Sequence, residues 1–293
     1  MSDGSNQALQ SLAQAREQFL AMVESIRPDL HRYCARLTGS VIDGEDIVQD
    51  TLAKALYALS QEPAVPELRP WLFRIAHNRA MDLLKSHGRK LTDSHADLED
   101  VAGFDERPDP AVVRAALARF SALPLTQRSA VILKDVLDHS LEETAEIMGT
   151  TVMAVKAALV RGRGKLAESE PQEAAADATT LAVLNRYAEL FNARDWDGVR
   201  ALVAEDCKLD LVSKSQRRGK AVGMYFGRYE KEDVSLRPIR LEGRLALAAY
   251  VGRASEPAYF VLLECDGGAV TGIRDFRYVP YITTDASFEL LPR

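Results

Sequence analysis

Between Ser140 and Thr151 the chain carries a helix start, a helix stop and a second helix start. Ser140 and Glu143 form the capping-box spacing, in which hydroxyl and carboxylate satisfy orphan amides at a helix N-terminus. Leu141, Ala145 and Met148 follow at helical spacing. Gly149 stands where that helix must end, and glycine accepts the left-handed backbone a helix stop requires. Thr150 or Thr151 then caps the next helix, whose apolar stripe is Val152, Val155 and Leu159. Ala145 is small where the second helix would cross. Two helices this close, with so short a turn, have few ways to pack.

This is helix-turn-helix spacing, in which the second helix enters the major groove of DNA. Charge agrees. From Thr151 to Leu166 the basic residues are Lys156, Arg161, Arg163 and Lys165, with no acid among them, whereas the preceding helix carries Glu142, Glu143 and Glu146. A basic helix in an acidic chain is a local footprint for phosphate. The competing reading is an ordinary helical hairpin with a solvated basic face.

The chain has 293 residues, 47% apolar and 27% charged, with a net charge of −6. These are globular values, and the length suits two domains or three small ones. An acidic total argues against a general nucleic-acid coat but leaves room for local basic patches. No apolar run approaches the roughly 20 residues needed to span a bilayer, and the N-terminus lacks a signal-peptide pattern. Cys34, Cys207 and Cys265 are sparse and far apart, which argues against a disulfide framework or zinc site and suits a reducing cytoplasm. No metal and no cofactor is expected.

Residues 19–90 read as helices throughout, and residues 110–168 do so again. Residues 91–109 are polar and acidic without apolar period, hence a linker. A second linker, 169–179, carries acids, small residues and one proline. From residue 180 two helical stretches, LAVLNRYAELFNAR and WDGVRALVAE, precede β-type segments CKLDLV, RLALAAYVG, AYFVLLEC and AVTGIRDFRYV. Two helices and a meander of strands predict an α+β domain over 180–293. The fold class is therefore multidomain, two all-α domains followed by α+β.

Two further helices carry candidate surfaces. After a joint near Gly39, one buries Ile47, Val48, Leu52, Ala55, Leu56 and Leu59, and sets Asp46 and Asp50 at i and i+4 beside Gln49. The blander reading is an acidic first turn; the functional one is a docking face for a basic partner. The other runs RPWLFRIAHNRAMDLLKSHGRK, with Pro70 in its first turn and Gly88 at its stop. Leu72, Ile75, Ala76 and Leu83 lie at core spacing. A separate stripe is Arg74, Asn78, Met81 and Lys85, with Trp71 and His77 nearby. Basic and amide donors beside aromatics suit phosphates and unpaired bases, although most such helices are plain surface helices.

The segments GEDIVQDTLAKAL, WLFRIAHNRAMDLL, LPLTQRSAVILKDV and SLEETAEIMGTTVMAVKAALVRGRGKL, in that order and with an acidic linker, resemble the extracytoplasmic-function group of bacterial sigma-70-type factors. The resemblance implies sigma region 2 over 19–90 and the helix-turn-helix sigma region 4 over 110–168. It implies a non-enzymatic transcription initiation factor with RNA polymerase core and promoter DNA as partners. Asp46, Gln49 and Asp50 would face polymerase. Trp71, Arg74, His77, Asn78, Met81 and Lys85 would serve the −10 element. Arg128, Thr151, Val152, Met153, Lys156, Arg161 and Arg163 would serve the −35 element. Met153-Ala154 stands where Gly-Thr is frequent, and Ala157-Ala158 where Ser-Arg is frequent.

Residues 180–293 resemble the cone-shaped NTF2-like or SnoaL-like domains, with Arg194-Asp195-Trp196-Asp197 at the helix turn. All five histidines precede residue 140, which removes an Asp–His dyad here and leaves Asp210 and Asp275 with tyrosines such as Tyr250 and Tyr278. Flanking Arg274 and Arg277 offer Asp275 plain ion pairing. The expectation is regulation in cis, through a small-molecule ligand or a protein contact, at an apolar pocket bordered by Tyr250, Tyr259 and Phe260. Two other readings stay open: a helix-turn-helix regulator with a ligand-sensing domain acting without polymerase docking, and a two-part enzyme.

Overall fold

The computed structural model describes residues 14, 17–61, 67–86, 117–120, 122–168, 178–219 and 223–291. The expected linker at 91–109, the stop at Gly88 and residues 169–177 of the second linker lie outside the described residues. The chain divides into two compact units, residues 1–171 and 172–293.

The first unit is helical. After a helical stretch at 17–23, α1 (Arg27–Thr38), α2 (Val41–Gln61) and α3 (Leu68–Ser86) follow. Then come α4 (Leu117–Phe120), α5 (Leu125–Val131) with a π-helical turn Ile132–Val136, α6 (Leu141–Met148) and α7 (Val152–Glu168). Their apolar faces meet in one continuous core. Leu30, Tyr33 and Leu37 from α1, Phe73 and Ala76 from α3, Val131 and Leu133 around the π turn, and Leu159 from α7 are all fully buried. Each large side chain so buried contributes about 1.5–3 kcal/mol. Polar ties cross the same core: the Tyr33 hydroxyl lies 2.7 Å from His77 Nδ1 and donates to Ser129 Oγ at 3.4 Å. The two segments that resemble regions 2 and 4 thus share one interior.

The second unit begins with α8 (Ala178–Asn192) and α9 (Trp196–Leu202). Asp195 Oδ1 caps α9 by accepting from Gly198 N at 2.9 Å. The strands are β1 (Val203–Leu211), β2 (Ser215–Arg218), β3 (Val234–Leu241), β4 (Arg244–Val251), β5 (Tyr259–Asp266), β6 (Ala269–Asp275) and β7 (Phe288–Leu290), with α10 (Gly223–Tyr229) between β2 and β3. They form one sheet in the order β2-β1-β6-β5-β4-β3-β7. The expected meander holds for β3 to β6. It is not the whole sheet, because β1 runs parallel to β6 and pairs Leu211 with Asp275. Helix α9 also ends at Leu202, so the Val-Ala-Glu after it opens β1 rather than extending the helix.

Strand β3 escapes a sequence reading because Pro238 sits inside it, and proline demotes a strand to an edge. Its edge is closed by side chains and a short strand. Asn192 of α8 accepts from Leu236 N and donates to Leu236 O, each at 2.8 Å, in place of a strand partner. Pro238 O accepts from Leu291 N at 3.1 Å, and β7 covers Ile239 to Leu241. Such blocking removes the template for edge-to-edge pairing.

Candidate nucleic-acid interface

The turn between α6 and α7 forms by the local chemistry its residues imply. Ser140 Oγ accepts from Glu143 N at 3.0 Å, and Glu143 Oε2 accepts from Ser140 N at 2.7 Å, a complete capping box. Gly149 takes φ 64° and ψ 39°, and Thr150 N returns to Ala145 O at 2.9 Å. Thr151 Oγ1 accepts from Ala154 N at 3.2 Å and caps α7. Ala145, Val155, Ala158 and Leu159 are buried between the helices. At Gly162 an added Cβ would lie 2.6 Å from Val131 Cγ2, so α7 passes α5 at backbone distance.

The outer surface of α7 differs from the expected basic face. Thr151, Met153 and Val160 are exposed, and Val152, Lys156 and Arg161 are half-buried. Arg163 turns inward. Its Nε and Nη2 donate to Asp135 Oδ2 and Oδ1 at 3.0 and 2.6 Å, and the Asp135 carboxylate is fully buried. Arg128 is 2% exposed, with Nη1 and Nη2 donating to the carbonyls of Leu37 at 2.5 Å and Leu123 at 2.8 Å. These guanidiniums were expected at DNA; here both are internal clamps, because buried carbonyl and carboxylate oxygens need donors.

On α3, Arg74, Asn78 and Lys85 are exposed and Trp71 and Met81 half-buried. Arg74 Nη2 donates to Glu146 Oε1 of α6 at 2.8 Å. His77, expected beside that stripe as a −10 contact, faces the core. Burial, then the nearby Lys85 charge, lowers its pKa to about 4. On α2, Asp46 and Gln49 are half-buried and Asp50 exposed. The acidic pair is not bare, since Arg79 Nη2 lies 2.6 Å from Asp50 Oδ2. The sequence gives a hint at Asp135, an acid inside the apolar run VILKDVL. The inward turn of His77 leaves no such mark.

Two family comparisons match within this unit: Sigma-70 region 2 over residues 22–90 and Sigma-70, region 4 over residues 114–166. ECF RNA polymerase sigma factor EcfG of Rhodopseudomonas palustris is 30% identical over 155 residues, covering 52% of this chain and 82% of EcfG. The chain belongs to the ECF RNA polymerase sigma factors. ECF RNA polymerase sigma factor SigG of Mycobacterium tuberculosis is 32% identical over 214 residues, 62% of this chain. The match spans 58% of the length of SigG. The crystal structure of the Mycobacterium tuberculosis extracytoplasmic function sigma factor SigJ aligns over 90% of this chain and 98% of that one, with 23% identity and a TM-score of 0.36.

The sheet-containing unit of this sigma factor holds a buried polar cluster. Asp275 lies on the apolar face of the sheet, opposite Val261 on one side and Leu211 on the other. Its Oδ2 accepts from the hydroxyls of Tyr225 at 3.0 Å and Tyr229 at 2.7 Å, and its Oδ1 from Arg277 N at 2.9 Å. Burial raises the Asp275 carboxyl above the usual range against the pull of these donors and of the Arg277 charge. The expected arginine ion pairs go elsewhere: Arg277 to Glu232 at 2.5 Å, and Arg274 to Asp210 at 3.5 Å. Tyr278 receives a hydrogen bond from Arg228 at 2.7 Å. Of the three expected pocket residues, Tyr259 faces this interior. Tyr250 and Phe260 take the opposite face, since neighbours on a strand alternate. Tyr187, Phe191, Tyr225 and Tyr229 fill the interior. A groove of about 610 Å³ lies between α8, β3 and β7. Among the described residues no His, Cys, Asp or Glu cluster suits a metal ion, and no helix is long and apolar enough to cross a membrane.

Proposed function

We propose that this sigma factor brings RNA polymerase core to promoters in the cytoplasm, and that neither unit is catalytic. The observation that carries the reading is the capped α6–α7 pair, whose second helix carries four basic residues and no acid from Thr151 to Leu166. In this reading Asp46, Gln49 and Asp50 meet polymerase. Arg74, Asn78, Lys85, Met81 and Trp71 serve the −10 element; Thr151, Val152, Met153, Lys156 and Arg161 serve the −35 element. Arg128, Arg163 and His77 act from within, by holding the helices that carry those residues. The Arg74–Glu146 pair is exposed at both ends, so releasing Arg74 to DNA costs on the order of 0–1 kcal/mol. Residues 180–293 regulate in cis, through a protein contact or a small ligand.

The test is co-purification with core polymerase, followed by run-off transcription from the upstream region of the chain's own gene. Core binding and a discrete transcript are expected, with both lost when Asp46 and Asp50 are replaced by Lys. Specific DNA binding with no polymerase association would instead favour a regulator acting without polymerase. A version ending at Glu170 should differ from the full chain in promoter affinity or initiation rate. Identical behaviour would remove the regulatory role.

A further inference from the structure

The centre of α7's outer surface has no hydrogen-bonding side chain. At 3.6 residues per turn, Met153, Ala157, Val160 and Gly164 fall along one line of the helix. Met153 is 47% exposed and Val160 48%, whereas most large apolar side chains among the described residues are buried or half-buried. Val155, Ala158, Leu159 and Gly162 occupy the opposite, buried side. Lys156 flanks the line on one side and Arg161 on the other, while Arg163, on the Lys156 side, is turned inward to Asp135 and takes no part in the surface. The helix therefore presents an apolar centre with cationic shoulders and no acid from Thr151 to Leu166.

That charge pattern selects an anionic polymer, whose phosphates the shoulders meet. It also restricts what can be read between them. Arginine, lysine, asparagine or glutamine would read base edges by paired hydrogen bonds. Methionine, alanine and valine cannot. The C5-methyl of thymine is the apolar group the major groove of ordinary DNA offers them. We propose that α7 reads its half-site through thymine methyl groups, with Met153 and Val160 as the specificity-determining contacts and Ala157 leaving room between them. Met153 and Val160 are seven residues apart, roughly 10 Å of helix, or about three base-pair steps. The inference rests on the promoter-binding reading above and adds to it the chemistry of recognition.

The experiment uses the full chain bound to core polymerase. Duplexes are selected from a random-sequence pool, and the upstream half-site protected by the protein is mapped. That half-site is then resynthesised with deoxyuridine in place of thymine, which deletes the methyl and leaves the pairing edge intact. Affinity should fall about fourfold for each contacted methyl, the transfer free energy of one buried methylene. On Met153→Ala/Val160→Ala, the same uracil substitution should cost less than twofold. Both positions are exposed, so the variant should keep the wild-type circular dichroism. Three results would overturn the proposal: equal affinity for thymine and uracil duplexes, an undiminished uracil penalty in the variant, or a selected half-site without thymine. If no sequence is enriched, the promoter-binding reading falls first and the inference with it. Enrichment without a uracil effect removes the inference alone.

Discussion

Arg163 grips both carboxylate oxygens of Asp135, at 2.6 and 3.0 Å, and so pins the middle of α7 to the π-helical turn behind it. The carboxylate is fully buried and the guanidinium 16% exposed. Removing one partner of a buried pair leaves an uncompensated charge, at a cost of about 3–5 kcal/mol. Arg163→Ala should therefore lower the denaturation midpoint of the helical unit markedly. DNA affinity, measured at equal folded concentration, should change little. A variant as stable as wild type but weak on DNA would return Arg163 to the DNA-reading set.

Gly162 and Gly164 lie on one helix and predict opposite outcomes. Alanine at Gly162 would drive a Cβ to 2.6 Å from Val131 Cγ2, and the Gln127 carbonyl stands 3.3 Å away. Overpacking of this kind costs about 1–3 kcal/mol, more than the ~1 kcal/mol alanine returns in helix propensity. At Gly164 nothing lies within 4 Å, so alanine should stabilise by about 0.5–1 kcal/mol. Urea melts of the two variants check the sign of each.

His77 makes the helical unit sensitive to acid. Its folded pKa, lowered to about 4 by burial and by Lys85, lies below the ordinary value of about 6.5. The unfolded chain therefore binds the extra proton first. Stability is complete above about pH 6.5 and declines as pH falls toward 4, by about 3 kcal/mol at most for this residue. His77→Asn should flatten that decline relative to wild type in melts between pH 7 and 4.5. His139, also lowered by burial and then by Arg69, will leave a residual slope of the same sign. An unchanged slope in His77→Asn would show that His77 does not control it.

Asp275 acts in the opposite direction. Burial raises its folded pKa, so the folded state holds the proton more tightly than the unfolded chain does. Its contribution to stability is present below the ordinary Asp value and is lost as pH rises through the folded value. Asparagine carries no charge, and the hydroxyls of Tyr225 and Tyr229 can accept as well as donate. The stability of Asp275→Asn relative to wild type should therefore grow as pH rises. Near-UV circular dichroism of the full chain follows the transition, and a pH-independent difference would contradict the assignment.

Residue type and spacing determined the helix-turn-helix and the change from helical to strand periodicity. The Ser140–Glu143 box, the stop at Gly149 and the cap at Thr151 are local events, settled by atoms within a few residues of one another. Apolar β-type runs set off by Gly, Pro and Asp likewise marked β4 and β5. Tertiary structure decided which polar side chains face outward. His77, Arg128 and Arg163 occupy helix positions open to either role, and each turned inward because a distant segment brought a buried oxygen that needed a partner. Those partners are Tyr33, Leu37 and Asp135, which are 44, 91 and 28 residues away in the chain. The parallel pairing of β1 with β6 is equally non-local, and so is the place of Asp275 among tyrosines from α10. Periodicity reports the face a residue shares with its neighbours; what lies across that face is set only when the elements pack.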